Sequence, residues 1–285
     1  MTTETRTISV HDLTPAELRR LQAEAARANG LEPYFRDSLR HGGAGPELAV
    51  IPAGRFRMGS AADDRRFGEL GRHEAVIDRP YAIGRYTITA EEFAVYSRAA
   101  GLVWPDHLIQ SEGRQPVINI TSLDAQGYLA WLSAETGQRY RLPDEREWEY
   151  AARAGSLTAY CFGERLGCGE ANTAAIIGTS RPNGWRGWLP FCVPLHRVCE
   201  VGSYPANIWG LYEVHGNVWE LTSDTWQGSL DPENNASRQP GQWIVTKGGS
   251  WFEGVRDASF ASRRPRLLSE MDTNLGMRVV REIYG

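Results

Sequence analysis

The sequence predicts an α+β protein in which a few helices and short strands are set into irregular, loop-rich chain. Three observations lead there. Thirty Gly beside ten Trp and eleven Tyr in 285 residues call for many turns packed around large aromatic side chains. Helical periodicity with start and stop signals occurs only before about residue 155. After that the chain turns irregular, with apolar runs such as WIVTKGGSW and LGMRVVREI to suggest strands.

The elements follow in order. Residues 14–29, TPAELRRLQAEAARAN, read as a helix: Thr14 is the N-cap, Pro15 suits the first turn, Glu17 completes a capping box and Gly30 is the stop. Leu18, Leu21 and Ala25, with Leu31 and Phe35 beyond, give it one apolar face for docking on the main domain or on a partner. HGGAG at 41–45 is a joint by composition, so residues 1–45 form a helical arm and 46–285 the main domain. The stretch PELAVIPAGRFRMGS opens that domain with strand-like alternation. A second helix starts at Thr89, with a capping box to Glu92 and a stop at Gly101. A third starts at Ser122 and stops at Gly137, with Ala125, Tyr128, Leu129 and Leu132 on one face. A short fourth helix follows Pro143 and ends near Gly155. It places Glu145, Trp148, Glu149 and Ala152 on one face, and nearby Arg141 can pair with a carboxylate, a cluster that reads as structural. PENNASRQPGQ, residues 232–242, reads as a surface loop.

Composition narrows function. A formal net charge of −4, without a Lys/Arg block, gives no general attraction to nucleic acid or anionic lipid. No run approaches the roughly 18 apolar residues of a membrane span, and the amino terminus lacks a secretory apolar core, so a cytoplasmic location is expected. Cys161, Cys168, Cys192 and Cys199 form two C-x6-C segments. Structural zinc favours ligands two to four residues apart, so unpaired thiols, disulfides and a shared zinc all stay open.

IPAGRFRMGS, RPYAIGRYTITAEEF, TGQRYRLPDEREWEYAARAG, NIWGLYEVHGNVWELTSD, KGGSW and NLGMRVVRE, in this order, resemble the formylglycine-generating enzyme (sulfatase-modifying factor) family from about residue 46 to the carboxyl terminus. The resemblance implies an irregular relative of the C-type lectin fold with small antiparallel sheets. It also implies a calcium site at GLYxxxGNxWE, matched here by Glu213, Gly216, Val218 and Glu220, and a weaker second one at Asn172 and Thr173. The second requires a carboxylate near the position that Val193 holds. Calcium takes six to eight oxygen ligands, and a turn with two carboxylates and free carbonyls suits it; pairing of Glu220 with an Arg is the competing reading.

Enzymes of the family hold copper on two thiolates, three residues after the Ser of GGS and five further on, because soft thiolates favour cuprous ion. KGGSWFEGVRDASFASRR places Glu253 and Ala258 there, so no copper and no formylglycine production are expected. Ser250, Trp251, Phe252, Glu253, Arg256, Phe260 and Arg263, with Trp219, become the candidate ligand-binding residues. Binding of a protein, peptide or small molecule leads, with Trp and Phe as anchors and Arg for anions; a diversified binding protein is one form of it. A tailoring oxidoreductase with Glu253 as general base, and a regulatory partner in a bacterial signalling or defence assembly, are the alternatives.

Overall fold

In the computed structural model, residues 8–61, 69–103, 110–167, 169–174, 194–227 and 241–284 are described. The central five-stranded sheet has the order β1 (Tyr34–Phe35), β2 (Leu48–Ile51), β5 (Tyr81–Gly84), β11 (Val280–Glu282), β6 (Tyr140–Arg141). All of its neighbours are antiparallel. The run LAVI of β2 is apolar at every position because both faces are covered. Leu48 and Val50 enter one core with Phe93, Tyr128 and Leu132, while Ala49 and Ile51 enter a second with Trp148, Tyr150 and Trp209. Alternation of side chains between the two faces of a strand divides the residues in this way.

A second sheet, β10 (Leu275–Met277), β7 (Trp219–Thr225), β8 (Trp243–Lys247), β9 (Arg264–Leu267), carries the candidate site. Its β10–β7 pair is parallel and the other two antiparallel. β3 (Gly54–Met58) and β4 (His73–Ile77) form a two-stranded ribbon. In β3, Gly54, Phe56 and Met58 are buried, as the alternation in GRFRM predicts.

Four α-helices lie among the described residues: α1 (Pro15–Ala28), α2 (Ala90–Ala99), α3 (Ser122–Thr136) and α4 (Glu145–Arg153). Each begins with a reciprocal capping box, from Thr14, Thr89, Thr121 and Asp144 respectively. The third helix is therefore capped one residue earlier than Ser122. The face of Ala125, Tyr128, Leu129 and Leu132 is buried as predicted. None of the described helices is long and apolar enough to cross a membrane.

The amino-terminal arm docks on its own domain. α1 buries Leu18, Gln22 and Ala26, one residue round from the predicted stripe; Leu21 and Ala25 are partly covered. Gln22 Nε2 donates to the carbonyls of Val50 (2.9 Å) and Trp209 (3.0 Å), so an amide at that position satisfies two buried acceptors. β1 then adds a strand to the central sheet.

Candidate functional site

The loop between β8 and β9 carries KGGSWFEG, and it is fastened to the turn preceding β7. Gly216 N donates to Gly248 O (2.8 Å) and Trp251 N to Asn217 O (3.0 Å). Two glycines let this loop and turn pack closely on neighbouring backbone. A Cβ on Gly216 would sit 2.2 Å from Asn172 O, and one on Gly249 would sit 2.7 Å from Ala258 Cα; both have positive φ. Glu213 and Asn217 also have positive φ, 45° and 65°, a costly conformation for side-chain-bearing residues that needs the surrounding bonds to hold it.

Glu253 lies at the centre of the exposed end. Its carboxylate accepts from the Ser250 hydroxyl and from Arg264 Nη1, and Asn274 Nδ2 stands 3.4 Å from Oε1. Its main-chain oxygen accepts from Ala174 N (2.9 Å). Ser250 is itself fully buried and accepts from Phe252 N (3.2 Å). This clamps a tight turn and turns the Phe252 side chain outward, 64% exposed. Trp251 packs edge-on against Phe252, 5.5 Å between ring centroids, and donates from Nε1 to Thr273 O (3.2 Å). Arg256 is exposed beside them on the short 3₁₀ turn Val255–Ala258.

Three residues predicted to line the site belong elsewhere. Trp219 is in the core, 2% exposed, at the start of β7, in one cluster with Leu221, Leu275 and Met277. Phe260 is fully buried under Arg153 (4.8 Å) and against His215 (4.7 Å). Arg263 pairs with Glu145 and lies over Trp226 at 4.8 Å. Ser250, Trp251, Phe252, Glu253 and Arg256 stay together. Arg264, Asn274 and the Thr273 carbonyl were missed: they come from β9 and the segment before β10, and no local spacing links them to Glu253.

Ala258, at the position of the family's second thiolate, is fully buried, and its carbonyl accepts from His215 Nδ1 (2.7 Å). The other ring nitrogen of His215 accepts from Cys161 N (3.0 Å). Burial pulls the imidazole down to about 4, with the Ala258 bond opposing, so the ring is neutral with its proton on Nδ1.

The predicted calcium ligands share one turn but have separate partners. Glu220 is fully buried and accepts from Arg278 Nη2 (2.7 Å), Arg278 Nε (2.9 Å) and Trp148 Nε1 (2.6 Å). Arg278, also fully buried, gives its remaining donors to the carbonyls of Gly84, Arg85 and Tyr212. Glu213 accepts from Gly202 N (2.9 Å) and Tyr204 N (3.1 Å), and burial holds its carboxyl above the usual range. A guanidinium against Glu220 opposes a nearby cation, so the carboxylates as placed do not fit the oxygen cage expected with Gly216 and Val218. At the weaker site, Asn172 O accepts from Asn217 N (2.8 Å), while the buried Thr173 hydroxyl has no hydrogen-bond partner among the described residues. Val193 lies outside the described residues.

Cys161 and Cys199 are free thiols, raised by burial to about 12 and about 11, so neither is a ready thiolate. A disulfide between these two is not formed. Cys168 and Cys192 lie outside the described residues, and among those described no group of three or more His, Cys, Asp or Glu could hold a metal.

The family model described as "Sulfatase-modifying factor enzyme 1-like domain" matches residues 37–283. The chain belongs to this family. It is 28% identical to the inactive C-alpha-formylglycine-generating enzyme 2 of Mus musculus, over 82% of this chain and 85% of that one. It is 26% identical to the formylglycine-generating enzyme of Mycobacterium tuberculosis, over 82% and 97%. Among solved structures, PvdO from Pseudomonas aeruginosa superposes with a TM-score of 0.68 at 30% identity, covering 83% of this chain and 94% of that one. The match begins at Asp37, inside the predicted arm, and the mixed α+β fold is the family's.

Proposed function

We propose that this chain is a binding member of the sulfatase-modifying-factor family, with Phe252 and Trp251 as the anchors for a protein or peptide partner. The observation that carries this reading is the clamp on Glu253. At the first position where the family's oxidases have a thiolate, the carboxylate is held by Ser250, Arg264 and Asn274, and the turn it closes presents an aromatic ring 64% exposed. A rigid turn displaying Phe beside Trp, with a cation at its rim, has the composition of a binding hot spot. General-base chemistry is less well supported, because the carboxylate's lone pairs face internal donors and Ser250 is sealed from solvent. The similarity to a mouse relative named inactive agrees with a role without copper oxidation.

Selection of displayed peptides on the full chain tests this. Binders should lose about tenfold or more in affinity against Phe252→Ala, the order expected for an aromatic hot spot. Binders indifferent to Phe252→Ala and Trp251→Ala would place recognition elsewhere.

A further inference from the structure

Away from this loop, α2 and the segment before α3 enclose a cavity of about 360 Å³. That is the lower end of the roughly 300–1,000 Å³ range of small-molecule pockets. Phe93, Ile118 and Ile120, all buried, are among its walls, so its depth is apolar. Leu102 and Val103 stand at its mouth, 42% and 92% exposed. The surface thus leaves uncovered the kind of apolar area that soluble proteins usually bury or use. Arg98, from the last turn of α2, lines the same cavity. It is exposed and has no carboxylate partner among the described residues, although this chain carries more Asp and Glu than Lys and Arg.

An apolar recess with one guanidinium that pairs with no described carboxylate selects for an apolar body carrying a single negative group. A planar carboxylate matches the guanidinium fork. A neutral hydrocarbon would leave the cation unused, and a polyanion would find only one cation among the described lining residues. We propose that this cavity is a second binding site, separate from the Glu253 loop, for a small amphiphilic monocarboxylate: an alkyl or aryl chain in the recess with its carboxylate on Arg98. Residues 104–109 lie outside the described residues, and occupation of the recess by the chain itself is one outcome the test must register.

The test is titration of the full chain with octanoate, and separately with octanol, followed by calorimetry or by NMR shifts. Octanoate should bind saturably and about tenfold more tightly than octanol, the ratio a charge-assisted hydrogen bond supplies. Arg98→Gln should remove that preference while leaving octanol unchanged. Ala94→Trp should fill the recess and weaken both. Val103→Asp, at a position too exposed to threaten folding, should repel octanoate alone. Absence of saturable octanoate binding, as when the chain's own residues fill the recess, overturns the proposal. So does equal affinity for the alcohol, or a preference that survives Arg98→Gln.

Discussion

Two carboxylate–arginine pairs show how one interaction serves two ends. Glu220 and Arg278 are fully buried, and each nitrogen of the guanidinium has a named acceptor. Glu253 and Arg264 sit at the surface, their side chains 14% and 44% exposed. The first pair joins β7, the end of β5 and the 212–218 turn around a single cation, and specifies how those elements meet. The second joins one surface loop to β9 and fixes which way Phe252 points. Desolvation separates them: buried charges must be fully matched, whereas screened ones contribute modestly.

The largest expected effect is at the buried pair. Glu220→Gln leaves Arg278 charged and without its anion, and should cost about 3–5 kcal/mol, read as a lower denaturation midpoint with unchanged slope. A loss below about 1 kcal/mol would mean that the pair behaves as a surface pair does.

The neutral His215 between Cys161 and Ala258 gives an intermediate, pH-dependent effect. Its folded pKa of about 4 lies below the usual 6.5, so the unfolded chain binds the extra proton between these values. The stability from keeping the ring neutral is present above about pH 6.5 and is lost as pH falls toward 4. His215→Gln should flatten the pH–stability curve in that window. An unchanged slope would assign acid sensitivity to other groups.

Glu253→Gln should change stability least, by about 0–1 kcal/mol, yet weaken a partner that binds through Phe252, because the turn loses its ionic clamp. A large stability loss without a change in binding would reverse the roles of the two regions.

Much of this was legible in the sequence where the signals are local. The four helices announced themselves through the capping boxes at Thr14 and Thr89, the stop at Gly137 and the Pro143 ahead of the last, since such signals are local, whereas the boxes at Thr121 and Asp144 emerged only from the structure. The alternation in GRFRM gave β3. What stayed hidden depends on distance along the chain. Nothing near Arg264 or Asn274 says that they meet Glu253. The inward facing of Trp219 is decided by sheet packing and that of Phe260 by Arg153 and His215, not by their own residue types. Arg278 is one arginine in MRVVRE until the fold places it on Glu220, the pairing that competes with the expected calcium. Gln22, a polar residue on a helix, is buried because two distant carbonyls require a donor.

The most direct measurement is turnover of a cysteine-containing sulfatase peptide by the unmodified protein loaded with cuprous ion, with copper stoichiometry read alongside. A carboxylate at 253 and a methyl group at 258 supply no soft ligand pair. No stoichiometric copper should therefore be retained at this loop, and the peptide's cysteine should not be converted to formylglycine. Copper-dependent formation of formylglycine would contradict this, and would return the Glu253 loop to the catalytic role that its clamped carboxylate argues against.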